Sequence, residues 1–186
     1  MNVYIVTEGQ FDATLLSRLL AEEVQVGVTI VAASGKSGAQ SLARSLVAAR
    51  RRPVALVLDA DTTDEAFVHR QRLVARELLA MASPGIPTEV FMAVPSMEVL
   101  FFEDSALLGR LIPGVGGDVW ARGRYQPKQV LQDILRVGRV PVHSPSDLVR
   151  GLTDADATRM SEYPPVSDIK HFLQSTALTQ AANGRR

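Results

Sequence analysis

Hydrophobic residues take two textures along the first hundred positions. Short unbroken apolar runs alternate with longer stretches in which apolar residues recur every three or four positions. The runs at residues 2–7 (NVYIVT), 26–33 (VGVTIVAA), 54–59 (VALVLD) and 88–95 (TEVFMAVP) are short and rich in β-branched residues, the texture of strands buried on both faces. Between them, residues 12–24 carry Leu15, Leu16, Leu19 and Leu20 at helical spacing, and 40–51 carry Leu42 and Leu46. Residues 63–81 form a long helix with Asp64 and Glu65 in its first turn. This alternation predicts parallel βαβ crossovers, hence a Rossmann-like α/β fold: a four-stranded, mainly parallel sheet with helices on both faces.

Beyond that core the pattern changes. Residues 97–111 read as a turn becoming a helix, 112–123 are rich in Gly and Pro, 126–137 and 166–182 are helical, and 144–165 are turn-rich. The expected organisation is a core at 1–111 and a basic, mostly helical extension at 112–186, packed on the same domain as C-terminal decoration.

Composition narrows the chemistry. At 186 residues, 46% hydrophobic and 22% charged, the chain is long and apolar enough for one folded domain. No stretch has the apolar length of a membrane span, and Glu8 interrupts the N-terminus before a signal-peptide core could form. A cytoplasmic protein without membrane contact is expected. With zero cysteines there is no disulfide, thiolate metal site or cysteine nucleophile, and the scattered His69, His143 and His171 speak against zinc. The net charge of zero hides a segregation: residues 1–104 hold 13 acids and 9 bases, residues 105–152 hold 3 acids and 7 bases. That pattern fits a polyanion-binding surface beside an acidic metal site, and equally the surface variation of a neutral protein.

Active groups of an open parallel sheet collect at the carboxyl ends of its strands. Those ends offer Glu8 and Asp12, then Asp59, Asp61 and Asp64, then Ser96 and Glu98. Taken singly, Asp12 and Asp64 suit the first turns of helices. Taken jointly, with no basic residue among them in the sequence, the acids would repel each other unless a cation joins them. All-oxygen donors point to Mg²⁺ or Mn²⁺.

These residues also carry a family resemblance. Thr7-Glu8-Gly9-Gln10-Phe11-Asp12 after the first strand and Leu58-Asp59-Ala60-Asp61 after the third resemble the Glu-Gly and Asp-x-Asp signatures of the TOPRIM (topoisomerase–primase) domain. Pro95-Ser96-Met97-Glu98, followed by Leu100-Phe101-Phe102, is similar to the Ser-x-Glu element of the OLD (overcoming lysogenization defect) nucleases and their small stand-alone relatives. The resemblance spans roughly residues 2–104. It implies that Glu8 acts as metal ligand or general acid–base, that Asp59 and Asp61 hold Mg²⁺ or Mn²⁺, and that Ser96 and Glu98 serve a second ion. Asp12 stands where OLD-type proteins often place Glu. Lys128, by the same resemblance, neutralises charge developing on phosphorus. Arg122 and Arg124 flank it and are candidates to hold nucleic-acid phosphates, as is Lys36.

The resemblance implies metal-dependent phosphodiester hydrolysis of DNA or RNA, in phage defence or nucleic-acid processing. TOPRIM topoisomerases need a tyrosine nucleophile in another domain, and Tyr4 here lies inside the first strand; primases need further domains. OLD proteins also carry an ATPase domain, which leaves a place for a separately encoded partner such as an ATPase; an oligomer is also compatible with the chain. Ser34-Gly35-Lys36-Ser37-Gly38 contains Gly-Lys-Ser, but Ile30 occupies the place of the first glycine of a phosphate loop, so the stretch reads as a flexible turn. Two other readings stay open. One is a non-catalytic nucleic-acid- or partner-binding protein. The other is a phosphoacceptor receiver using Asp59, although that site needs two acids after the first strand and Thr7-Glu8-Gly9 offers one.

Overall fold

Each of the four apolar runs becomes a strand because both of its faces find a hydrophobic partner. The computed structural model describes residues 2–82, 84–137 and 144–183; His143 lies outside them. β1 (Val3–Thr7), β2 (Val28–Ala32), β3 (Val54–Asp59) and β4 (Thr88–Ala93) form a single sheet in the order β2-β1-β3-β4. All three pairings are parallel, so the fold is α/β and Rossmann-like, as expected.

The pleat sorts the strand residues between two cores. Along β3, Val54, Leu56 and Leu58 face one hydrophobic cluster, while Ala55 and Val57 face the other. Asp59, the next residue in the alternation, continues the second face. The first cluster is closed by α3 (Gly35–Arg50), through Ala39, Ala43 and Val47, and by α4 (Glu65–Ala82), through Ala75 and Leu79. The second is thicker. It begins with α1 (Gln10–Leu19), followed by the short α2 (Ala21–Gln25). It continues through a 3₁₀ helix at Met97–Phe102 and α5 (Ser105–Leu111), then α6 (Gly117–Gly123) and α7 (Pro127–Val137). It ends with α8 (Pro145–Arg150), α9 (Asp154–Met160) and α10 (Val166–Asn183). One continuous cluster therefore runs from Val3 to Leu173, joining the strands to the C-terminal helices. Among the described residues no helix is long and apolar enough to cross a membrane.

The structure departs from the sequence pattern where local polar signals outweigh composition. The expected helix at 12–24 divides at Leu20, and β2 starts only after Gly27, whose φ of 102° is a left-handed turn conformation. The Ser34–Gly38 stretch is no flexible turn: α3 already begins at Gly35, whose N–H donates to the Glu8 carbonyl at 2.8 Å. The Gly-rich 112–123 contains α6, and the turn-rich 144–165 contains α8 and α9. These two helices start at capping boxes in which the third helical residue is Asp rather than Glu. The Ser144 amide donates to Asp147, the Thr153 amide donates to Asp156, and the Asp156 amide donates back to Thr153.

α6 also explains one glycine. A Cβ built on Gly123 would run into the ring of Phe102, which is fully buried. Gly123→Ala should therefore destabilise the fold by overpacking, by about 1–3 kcal/mol. The denaturant midpoint of the variant measures this, and a midpoint equal to that of the wild type would contradict the close approach.

Candidate functional site

All four strands deliver polar side chains to the same edge of the sheet. Glu8 follows β1, Lys36 stands in the first turn of the helix after β2, Asp59 ends β3, and Ser96 and Glu98 follow β4. Asp12 joins from the first turn of α1, Asp61 from the loop after β3, and Lys128 from the first turn of α7.

Asp59 is the buried centre, with 4% of its surface exposed. Its Oδ1 accepts the Met97 amide at 3.0 Å, and its Oδ2 pairs with Lys128 Nζ at 2.7 Å. Its own amide donates to Glu8 Oε1 at 2.9 Å, which ties the ends of β1 and β3 together. Asp61 adopts a left-handed backbone (φ 55°), a conformation in which Asp is enriched among non-glycine residues. In that conformation its amide donates to the Pro95 carbonyl at 2.8 Å, while its carboxylate meets Lys36 at 2.8 Å and Lys128 at 3.4 Å. Ser96 is buried and donates to Glu98 at 2.6 Å. The Gly9 amide donates to Asp12 at 3.2 Å. Asp64 stays outside this cluster and accepts the Phe67 amide at the start of α4.

The electrostatics follow from burial against pairing. Burial is the largest influence on Glu8, Asp59 and Glu98 and raises all three above their ordinary values. Asp12 is pushed up to about 7, by burial first and then by the charges of Asp59 and Glu98. Asp61 goes the other way. Its partial burial is outweighed by its bonds to Lys36 and Lys128, which lower it. For Lys128, burial favours the neutral amine, but the bond to Asp59 and the fields of Asp59, Glu98 and Asp61 override it and raise its pKa.

Along the sequence the strand-end acids have no base among them, and Lys36 and Lys128 were expected to meet phosphates; in the fold both pair with the acids themselves. Two ammonium groups stand in the cluster because α3 and α7 point their first turns at the sheet edge. Lys36, expected on a phosphate-touching turn, instead salt-bridges Asp61 and lies 3.4 Å from Gln71 Oε1, while the Gln71 amide donates to the Ala60 carbonyl. Arg122 and Arg124 already have partners: Arg122 pairs with Asp133 at 3.7 Å, and Arg124 pairs with Glu103 at 3.4 Å and lies over the Trp120 ring.

No protein-family model matches this chain, and neither does any curated protein. The cluster offers five carboxylates and one hydroxyl, an all-oxygen donor set of the kind that hard divalent cations take. In the arrangement described, among the described residues, no three acidic or imidazole side chains are close enough together to ligate one ion. The ammonium of Lys128 supplies the positive charge between Asp59 and Asp61 instead.

Beside this cluster opens a cleft of about 200 Å³, lined by Asp61, Pro95, Ser96, Tyr125, Gln126 and Lys128 among others. The Tyr125 ring is 70% exposed there. Neither Tyr125 nor Gln71 stood out in the sequence. Lys36 was a candidate for a phosphate contact, and its place shortly after the carboxyl end of β2 was the signal that it would stand beside the acids.

The Asp12 shift has a consequence for stability. A carboxyl that binds its proton more tightly when folded favours the folded state at low pH, and that advantage is lost as pH rises from about 3.8 to about 7. In metal-free buffer, melting temperature should fall across that window. Asp12→Asn should flatten the slope and raise the melting temperature at pH 8. Identical slopes for the two proteins would place Asp12 in a solvated environment.

Proposed function

We propose that this chain is a Mg²⁺- or Mn²⁺-dependent nuclease of the TOPRIM type, cleaving phosphodiester bonds of nucleic acid at the carboxyl edge of the sheet. The observation that carries the reading is the meeting of Asp12, Asp59, Asp61 and Glu98 around Lys128, with Glu8 tied to the Asp59 amide beside them, drawn from three strand ends and a distant helix. To hold an ion, Glu8, Asp59 and Asp61 would have to close on it and the Lys128 ammonium would have to leave the place it takes between Asp59 and Asp61, with Asp12, Ser96 and Glu98 beside them for a second ion. When bound, such ions activate water and stabilise the leaving oxygen of a phosphodiester.

The chain's own groups supply the rest. Lys128 stays protonated through the physiological range and offers its ammonium to a phosphate oxygen. Glu8 accepts the Asp59 amide on Oε1, so Oε2 is the atom at which a proton is exchanged, and burial raises its affinity for that proton. Tyr125 and Gln126 face the cleft where a nucleotide next to the cleaved bond would lie, one with an aromatic face and the other with an amide.

A second reading has one specific observation in its favour. Lys36 and Lys128 already balance part of the carboxylate charge, as in a non-catalytic nucleic-acid- or partner-binding protein that keeps the fold. Two measurements separate the readings.

For the nuclease, cleavage of single-stranded and duplex DNA or RNA should require Mg²⁺ or Mn²⁺ and stop in excess EDTA. Glu8→Gln should lower it about 10²–10⁴-fold, the usual loss with an acid–base group. Lys128→Ala should lower it as well and also weaken substrate binding, with a shallower salt dependence. Cleavage that survives in Glu8→Gln would assign the chemistry elsewhere.

Millimolar Mn²⁺ should also raise the melting temperature, because an ion that binds only the folded state stabilises it. Asp59→Asn should abolish that rise. A melting temperature indifferent to divalent ions, with no cleavage of any nucleic acid, would favour the binding-protein reading.

A further inference from the structure

The helix that covers the sheet beside this site carries a second hydrophobic face, turned away from the core. Phe67, Val74, Leu78 and Met81 of α4 are large apolar side chains that are 40% to 78% exposed. On a helical projection they fall within about 60° of each other, roughly 110° from the core-facing Ala75 and Leu79. The stripe continues into an apolar groove between α3 and α4, lined by Gln40, Leu58, Phe67, Arg70, Gln71 and Val74. Scattered exposed apolar residues need no explanation, but a stripe at regular helical spacing is the pattern of a face that packs against another element.

We propose that this face of α4 is a two-fold interface between two copies of the chain. The charges beside the stripe identify the partner and set the direction. The spacing Phe67, Val74, Met81 is seven and seven, so a two-fold axis at Val74 places Val74 on its own copy. The same axis lays Phe67 against Met81 of the partner subunit. Arg70, four residues before the axis, then stands next to Glu77 of the partner subunit, three residues after it, and the symmetry makes this pair twice. A parallel two-fold arrangement would carry the Arg70–Glu77 flank of the two copies to opposite sides of the seam, so this pair could not form. The other arginines of the exposed surface of α4 do not compete for this role. Arg72 and Arg76 turn toward β4 and pair with Glu89. Arg70 already lies over the Phe67 ring, 5.8 Å from its centroid, at the edge of the stripe. The stripe is thus self-complementary in shape and in charge.

Sedimentation of the full chain tests this. The wild type should have about twice the 20.1 kDa chain mass, dissociating on dilution. Val74→Glu, at an exposed position, should give the single-chain mass with unchanged circular dichroism and melting. Arg70→Glu and Glu77→Arg should each raise the dimer dissociation constant about tenfold, by setting like charges against each other. The double variant R70E/E77R should recover the dimer, a rescue that general loss of packing would not produce. A wild type of single-chain mass at the highest attainable concentration would overturn the proposal and assign the stripe to a different protein. A dimer that survives Val74→Glu, or a double variant that stays apart, would place the interface elsewhere. None of these outcomes depends on catalysis.

Discussion

Asp59 has to be kept in a place where water cannot reach it. It closes a strand buried along its whole length, and the alternation of β3 turns it inward, beneath the 3₁₀ helix that follows β4. A carboxylate so placed is unfavourable unless its oxygens are bonded and its charge is answered. The Met97 amide and the Lys128 ammonium meet those two needs, and each belongs to an element far along the chain. The first turn of α7 is tied to the edge of the sheet through this group, while Val130 and Leu131 hold the rest of the helix in the core.

The same constraint orders the surrounding acids. Glu8 is fixed by the amide of Asp59, and Asp61 is turned by its left-handed backbone toward two lysines. Asp12 and Glu98 lie close enough to Asp59 to feel its charge. The result is a graded set. Asp61, the most solvated and best paired, ionises most readily, while Asp12, buried with little compensation, holds a proton to near neutrality. In parallel α/β folds the carboxyl edge of the sheet, where this graded set lies, is where functional groups collect.

The opposite face of the sheet follows a simpler rule. α3 and α4 bury Ala39, Ala43, Val47, Ala75 and Leu79 against the strands. On the other side of α4, Phe67, Val74, Leu78 and Met81 stay outside. The apolar content of that helix therefore exceeds what the core of one chain takes up. The acidic edge of the sheet and the exposed stripe meet at Gln71, which reaches from α4 to Lys36 and the Ala60 carbonyl.

Much of the architecture was legible in the residues themselves. Unbroken apolar runs specify strands buried on both faces, and the helical spacing between them requires parallel crossovers. Because the pleat and the crossovers fix which ends of parallel strands coincide, the convergence of Glu8, Asp59, Ser96 and Glu98 was legible too. The short helices α6, α8 and α9 were hidden, because their Gly, Pro and Ser content reads as loop while their stability comes from caps and from packing on the core. The pairing of the lysines with the acids was hidden for a different reason. The distance in sequence between Lys128 and Asp59 says nothing about their distance in space, and only the packing of α7 against the 3₁₀ helix brings the two together. The sequence alone determined the sheet and its row of acids; the tertiary structure decided which cations answer them, because a charge balance across elements depends on how helices pack and not on their order along the chain.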